Sequence, residues 1–188
     1  MTAVKHRVDS RKGMYRGLSF LNWLAIFLFV CAVLAAVFLL WLIPVRISGN
    51  SMDPMLRENE IVLVSRLSKY WKTPQRGDVI AFRNPNSGSL MLKRIVGLPG
   101  ENIDISCGKV FIDGCPLDES QYISGTEQAE SMTEHTVPEG SLFVLSDNRS
   151  DMNDSRQDSI GYVAYSDIYA VLRFRIFPLE RLAYFTYH

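Results

Sequence analysis

Histidine and cysteine are scarce in this chain, which has three of each among 188 residues. His6 and His188 stand near the two ends, so only His135 lies in the middle of the chain. This scarcity argues against a Ser-His-Asp triad. The sequence also lacks the HExxH motif, paired Cys/His spacings and a Gly-rich phosphate loop. We therefore expect neither a metal nor a cofactor.

The cysteines are too few for a disulfide framework. Cys107 and Cys115 remain candidates for a single bridge, but a short strand predicted at 109–112 separates them, and a bridge requires a Cα separation below about 7 Å. The sequence leaves their pairing open.

The formal net charge is zero, because 20 basic residues balance 20 acidic ones. Composition therefore gives no reason to expect a nucleic-acid partner. The distribution is uneven, however, since basic residues crowd the first positions against a single Asp9. These residues are Lys5, Arg7, Arg11, Lys12 and Arg16.

One long apolar run, Phe20 to Ile43, contains no charged residue. As a helix it would extend about 36 Å, enough for a hydrocarbon core of about 30 Å. A buried core helix is the first alternative. A cleaved secretory signal is the second, but its apolar region is only about 7–15 residues long and precedes a small-residue cleavage site. Here Trp41-Leu42-Ile43-Pro44 follows instead, so we interpret the run as an uncleaved membrane anchor.

The basic cluster before the anchor predicts that this side stays in the cytoplasm. The resulting organisation is a cytoplasmic basic segment at 1–19, an anchor helix at 20–43 and an extracytoplasmic domain at 44–188. The localisation we expect is the cell membrane, with a single pass.

The remainder of the chain is typical of short strands separated by turns. It predicts a mainly β, antiparallel sheet or barrel-like domain preceded by one transmembrane helix. Strands are predicted at 60–65, 77–82, 89–96, 102–106, 109–112, 116–117, 141–145 and 168–177. We expect a loop at 68–77 and a polar surface excursion at 124–134. Tyr70 and Trp71 in that loop either pack beneath it or contact lipid headgroups.

Ser51 stands between a flexible Gly49-Asn50 pair and a rigid Met52-Asp53-Pro54 segment, which makes it a candidate nucleophile. With histidine scarce, a lysine is the base to consider. A free lysine has a pKa of about 10.4 and is protonated at neutral pH, so it cannot accept a serine proton. Burial among apolar groups lowers the pKa of a lysine by up to about 3–5 units. Lys93 stands in such an apolar strand. The alternatives are an ordinary turn serine and an edge-strand lysine that limits aggregation.

Three motifs that follow one another along the chain favour the nucleophile and the base over these alternatives. Gly49 to Pro54 resembles the serine box of type I signal peptidases, and Lys93 to Glu101 is similar to their lysine box. Asp147 to Ser150, with Asp154-Ser155-Arg156 and Gly161, resembles their third box. The resemblance covers nearly the whole chain and is strongest to the small, single-anchor form of Gram-positive bacteria.

The resemblance implies a membrane-bound serine endopeptidase that removes signal peptides from exported preproteins with a Ser/Lys dyad. Ser51 would attack the scissile carbonyl, and Lys93 would accept its proton and return it to the leaving amine. The Ser51 N–H would help to bind the oxyanion. Part of the family has a serine hydroxyl as second donor at the position of Gly49, and here Ser48 or another backbone N–H would have to replace it. The support residues implied by the boxes are Arg94, Asp147, Asp154 and Arg156.

Substrate would bind as an added strand, with small side chains in shallow pockets. The candidate pocket walls are Ile47, Met52, Leu56, Met91 and Leu92. Expected partners are preproteins with signal peptides and the lipid bilayer, and the export translocon is a further candidate.

The sequence departs from the family pattern at two places. Ser146 stands where the third box opens with glycine, and Met152 replaces a serine that hydrogen-bonds the lysine in many members. Ser150 is a candidate to compensate for that loss.

Two other classes of protein fit parts of the pattern. Self-cleaving cytosolic repressors use the same dyad, but the anchor and the lack of a DNA-binding module argue against them. An anchored β domain that binds exported proteins without cleaving them is the third class, against which the presence of both dyad residues argues.

Overall fold

The computed structural model describes residues 20–37, 41–84, 86–123 and 131–185. The predicted segment 1–19 lies outside these residues. Among the described residues there are two α-helices, α1 (Phe20–Val37) and the single-turn α2 (Ser68–Trp71). Short 3-10 helices occupy Tyr165–Asp167 and Leu179–Arg181. The strands are β1 (Leu42–Arg46), β2 (Ile61–Ser65), β3 (Val79–Arg83), β4 (Leu90–Gly97), β5 (Asn102–Ser106), β6 (Lys109–Ile112), β7 (Cys115–Pro116), β8 (Met132–Thr136), β9 (Ser141–Leu145), β10 (Val163–Ala164), β11 (Ile168–Phe177) and β12 (Ala183–Tyr184).

The chain divides after Trp41 into two compact units. The first contains α1, whose 18 residues are apolar except for Asn22 and of which none is buried. At about 1.5 Å per residue the helix extends about 27 Å, close to the thickness of a hydrocarbon core. Its exposure contradicts the alternative of a buried core helix, and its length and composition are those of a membrane-spanning segment.

The second unit consists of two antiparallel sheets, which confirms the predicted mainly β fold. The larger sheet has the order β1-β2-β11-β3-β4-β9-β10, with β12 paired to β11. The smaller sheet has the order β7-β6-β5-β8. Among the described residues, β1 pairs with β2 alone and the first half of β4 with β3 alone, because β9 joins β4 from Arg94 onward.

Three apolar clusters form the core of this unit. One lies under β1, β2 and β11 and includes Met52 and Leu56. The second is centred on β3, β9 and β11, and the third joins β5 and β6 to β9. Each fully buried aliphatic or aromatic side chain contributes about 1.5–3 kcal/mol of transfer free energy.

Gly97 is required where the two sheets approach each other. A Cβ atom there would lie 2.0 Å from Cδ1 of Ile103 and 3.0 Å from Cβ of Phe143. The register of β4 against β9 also shifts between Ile95 and Gly97. The glycine therefore allows the end of β4 to lie against Ile103 of the smaller sheet without a steric clash.

The apolar run that predicted a helix to Ile43 contains both a helix and the start of a strand. Leu42 and Ile43 pair with Ser65 and Val64 in β1. The residue before a proline avoids the α region, and proline is tolerated on an edge strand. Pro44 therefore favours the strand at this position.

Other differences are small. The loop predicted at 68–77 begins with α2, and β8 occupies Met132–Thr136, at the end of the predicted excursion. Residues 124–130 of that excursion lie outside the described residues. Cys107 and Cys115 are both free and exposed, at opposite ends of β6, so the possible bridge is absent.

Candidate functional site

Ser51 lies on a loop that connects β1 to β2. The loop is closed at its base by a 2.9 Å hydrogen bond from Ile47 N to the Glu60 carbonyl, and a 2.7 Å bond from Leu56 N to the Met52 carbonyl forms a turn within it. Met52 and Leu56 are 1% and 0% exposed. Two buried apolar side chains thus fix the turn directly after Ser51 to the core.

The residue two positions before Ser51 is glycine, and its backbone requires one. Gly49 has φ +83°, and a Cβ atom there would meet nothing within 4 Å. Ser48 and Gly49 are both exposed. The loop before Ser51 is thus open to solvent and held in a left-handed turn that other residues adopt only with strain.

Charged side chains hold the far side of the Ser51 loop. Arg175 on β11 donates a 2.6 Å hydrogen bond to the Met55 carbonyl, and Arg181 donates one of 3.2 Å to the Pro54 carbonyl. Both guanidinium groups pair with the buried carboxylate of Glu60. The sequence analysis did not identify these residues, although arginine within an apolar strand such as β11 indicates a buried partner.

Lys93 lies in the middle of β4, opposite Ile80 of β3, and only 1% of the residue is exposed. Its amine donates hydrogen bonds to Ser146 Oγ at 2.7 Å and to Asp151 Oδ2 at 3.2 Å. Burial lowers the pKa of the Lys93 amine from its ordinary value, while the charge of Asp151 opposes this and raises the pKa. The direction favours a neutral amine, as a general base requires.

Ser51 and Lys93 line the same cavity, which has a volume of about 290 Å³. Its walls are residues 45–52 and 90–93, and Asp151 and Asn153 complete it. Within the part of the chain that the structure describes, no hydrogen bond joins the Ser51 hydroxyl to the Lys93 amine. Catalytic hydrogen bonds are commonly long without substrate and shorten in the Michaelis complex, so a shared cavity is compatible with a nucleophile and its base.

Arg94, the neighbour of Lys93, forms a bidentate pair with Asp147. Its Nε and Nη2 lie 2.7 and 2.6 Å from the two carboxylate oxygens, and both side chains are 1% exposed. Arg94 also donates a 2.6 Å hydrogen bond to the Gly77 carbonyl and lies 4.0 Å from the ring centroid of Tyr122. The pair joins β4 to the loop that follows β9.

A second buried pair lies within that loop. Arg156 binds both carboxylate oxygens of Asp154, with its Nε at 2.8 Å and its Nη2 at 2.7 Å. Arg156 also donates hydrogen bonds to the carbonyls of Arg149 and Asp151, at 2.9 and 2.6 Å. The pair therefore holds the backbone on both sides of position 150.

A third pair was not anticipated from the sequence. Arg149 is buried and binds both carboxylate oxygens of Glu119, which also accepts a 3.0 Å hydrogen bond from Tyr122. Burial raises the pKa of the Tyr122 phenol, which therefore remains a neutral donor. The segment around Glu119 thereby packs against the loop after β9, a long-range contact that no local sequence signal reveals.

The structure separates the predicted pocket residues into two groups. Ile47, Met52, Met91 and Leu92 line the cavity with Ser51. Leu56 is instead completely buried in the core beneath the loop and is not among the lining residues. Met52 belongs to the same core cluster as Leu56 but also borders the cavity.

Ser146, and not the predicted Ser150, supplies the hydroxyl group that Met152 lacks. Ser150 is exposed, and its backbone N–H donates to Asn148 Oδ1 at 3.1 Å. The hydroxyl that meets the Lys93 amine belongs to Ser146. The sequence contained a signal for this residue, since Ser146 stands where the family pattern has glycine.

Comparison with known proteins gives consistent matches. The family model described as signal peptidase, peptidase S26, matches residues 20–177. The signal peptidase I of Leptolyngbya laminosa is 35% identical over 144 residues, which cover 72% of this chain and 69% of that protein. The probable signal peptidase I-1 of Synechocystis sp. is 34% identical over 73% of this chain and 72% of its own. A crystal structure of a signal peptidase I from Enterococcus faecalis has 35% identity and a TM-score of 0.46, covering 54% of this chain and 97% of that one.

Proposed function

This chain belongs to the signal peptidase family, peptidase S26, and we propose that it cleaves the signal peptides of exported preproteins with Ser51 as nucleophile and Lys93 as base. The observation that carries the assignment of residues is the shared cavity. A loop serine and a buried lysine whose pKa is lowered line this cavity together, which supports the assignment.

In this reaction the Ser51 hydroxyl transfers its proton to the neutral Lys93 amine as its oxygen bonds to the scissile carbonyl carbon. The tetrahedral intermediate collapses, the C–N bond breaks and the Lys93 ammonium returns the proton to the leaving amine. Water then attacks the acyl-enzyme, with Lys93 again accepting and returning a proton. The Ser51 N–H stabilises the oxyanion, and Ser48 is the candidate second donor.

The cavity suits an extended peptide because strand edges border it. β1 is an edge strand, and no strand in the described part of the chain pairs with Leu90–Lys93 on the β9 side. A substrate strand that adds here would satisfy these backbone groups. The apolar walls, formed by Ile47, Met52, Met91 and Leu92, would contact its side chains.

The membrane arrangement is also part of the proposal. α1 spans the bilayer with the basic segment 1–19 in the cytoplasm, and the β unit lies outside. Tyr70 and Trp71 are 69% and 82% exposed, which supports contact with lipid headgroups. The translocon remains a candidate partner.

The test is cleavage of a preprotein with an Ala-x-Ala site by the full chain in detergent. We expect Ser51→Ala to abolish cleavage because it removes the nucleophile. Lys93→Arg should abolish it because an arginine stays protonated and accepts no proton. Ser166→Ala and Lys109→Ala, at exposed positions, are the matched controls. Retained cleavage in Lys93→Arg would contradict a lysine base, and mass spectrometry of the chain itself tests the self-cleaving alternative.

A further inference from the structure

The Lys93 amine has two hydrogen-bond acceptors, and both belong to the polypeptide segment after β9. Ser146 Oγ is 2.7 Å away and Asp151 Oδ2 is 3.2 Å away. A neutral primary amine has two N–H groups and one lone pair in a tetrahedral arrangement. When Ser146 and Asp151 accept the two N–H groups, the lone pair is left for the cavity that Ser51 lines.

Both acceptors are themselves held in place. Ser146 is completely buried, and its backbone N–H donates a 2.9 Å hydrogen bond to Asp154. The carboxylate of Asp151 accepts a 3.0 Å hydrogen bond from Asn153 N through Oδ1, which leaves Oδ2 for the amine. Arg156 fixes the Asp151 carbonyl at 2.6 Å. The two acceptors are thus part of one rigid polar network.

The other charged groups around the amine are paired with one another. Asp154 is bound on both oxygens by Arg156, and Arg94 is bound to Asp147. The charge of Asp154 raises the pKa of Lys93 and that of Arg156 lowers it. Their effects therefore oppose each other.

The remaining residues around the Lys93 amine are apolar or have hydrogen-bond partners elsewhere. β3 places the apolar Ile80 opposite Lys93, and Asp78 before that strand accepts a hydrogen bond from Gln75 N at 3.0 Å. Across the cavity, Arg46 is exposed and donates to Asn59 Oδ1 at 2.9 Å. This leaves Asp151, whose side chain is 26% exposed, as the carboxylate that contacts the amine directly.

We propose that Ser146 and Asp151 are positioning residues for Lys93, which direct its lone pair toward the Ser51 hydroxyl, and that Asp151 is the counter-ion of the ammonium formed in the reaction. The inference rests on the proposed function. The proton leaves Ser51 Oγ, binds the Lys93 lone pair and later moves to the leaving amine, so neither Ser146 nor Asp151 gains or loses one. Both residues act through Lys93 without contacting the scissile bond.

The two residues have different consequences for the pH dependence. Lys93 is active when neutral, so activity falls as the pH drops below its pKa. Asp151 raises that pKa, and its removal therefore shifts the acidic limb of the profile to lower pH. Ser146 carries no charge, so its loss lowers the rate without moving the limb.

The experiment measures kcat and KM of the full chain in detergent from pH 5 to 10 with a signal-peptide substrate. For Asp151→Asn we expect the acidic limb to move down by about one pH unit, a typical effect of one close charge. The maximal kcat of this variant should fall about tenfold or more, because a misoriented general base accepts the proton less efficiently. KM should change little. For Ser146→Ala we expect a similar loss of kcat with the limb in place.

Asp158→Asn is the matched control, because it removes an exposed carboxylate that follows the same loop. A second readout needs no turnover: the rate of Lys93 acetylation against pH, measured by mass spectrometry in the Ser51→Ala background. Its midpoint should move down with Asp151→Asn. An unmoved limb and midpoint in Asp151→Asn, or full kcat in Ser146→Ala, would overturn the inference. Absence of wild-type cleavage would instead overturn the proposed function.

Discussion

The backbone N–H of Asn148 donates a 3.0 Å hydrogen bond to the carbonyl oxygen of Ser51. This contact joins the loop after β9 to the loop that carries the candidate nucleophile. The same segment supplies Asp147, which holds Arg94 next to Lys93. The relative position of Ser51 and Lys93 therefore depends on polar contacts made by residues between β9 and β10.

The pair of Arg94 and Asp147 is the contact whose loss we expect to cost most. Removing one partner of a buried pair leaves an uncompensated charge and typically costs about 3–5 kcal/mol. We therefore expect Asp147→Ala to lower the free energy of unfolding by that amount, measured by chemical denaturation. The control is Arg57→Ala, which breaks an exposed pair with Asp53 and should change stability by less than about 1 kcal/mol. Equal effects of the two variants would contradict the importance of the buried pair.

Gly49 offers a comparison of strain inside and outside the site. Gly49 and Gly88 have φ of +83° and +68°, and each has open space where a Cβ atom would stand. Alanine at either position should therefore cost about 1–2 kcal/mol through backbone strain alone. We expect only Gly49→Ala to lower kcat/KM, because its loop shapes the oxyanion site next to Ser51. Unfolding measurements and cleavage kinetics on both variants test this, and an equal loss of activity in Gly88→Ala would contradict it.

Much of the fold was predictable because local patterns determined it. Strands β5, β6, β9 and β11 occur where alternation and flanking turns predict them. β1 was missed because its residues continue an apolar run, and nothing in that pattern marks the end of a helix before Pro44. β12 pairs with β11 over two residues, which is too short for a periodic signal.

The site was predictable where a motif identifies residues and unpredictable where tertiary contacts do. Ser51 and Lys93 stand in motifs that the sequence displays. The contact between Glu119 and Arg149 joins positions 30 residues apart, and its geometry depends on how the two sheets pack. The contacts of Ser146 and Asp151 with the Lys93 amine likewise depend on the folded structure. The sequence positions of Met152 and Ser150 directed attention to the wrong serine.

Arg175 gives a prediction about the far side of the Ser51 loop. Its side chain binds the Met55 carbonyl at 2.6 Å and pairs with Glu60. Arg175→Met should release this part of the loop and lower kcat/KM about tenfold or more, because small displacements of a nucleophile reduce rates strongly. Arg173→Met on the same strand, which loses only a 2.9 Å bond to Ser68 Oγ, is the control. Unchanged kinetics in Arg175→Met would show that the loop is held without it.

Lys93 also links stability to pH, in a direction that can be measured without substrate. Its pKa is lowered in the folded state and has an ordinary value of 10.5 when unfolded. The unfolded chain therefore binds more protons between these two pKa values, so the free energy of unfolding should rise with pH through that window. The stability that neutral Lys93 contributes at alkaline pH is lost as the pH falls through the pKa of Lys93 in the folded state.

Replacing Lys93 by methionine removes this linkage. We expect Lys93→Met to be inactive, and the rise in its free energy of unfolding at alkaline pH to be smaller than that of the wild type. Urea denaturation at several pH values from 7 to 10.5 measures the slope, with Lys109→Met as a control, because Lys109 is exposed on β6. A slope equal to that of the wild type would mean that the lysine amine is protonated equally in the folded and unfolded states, and burial would then not have prepared it to accept the Ser51 proton.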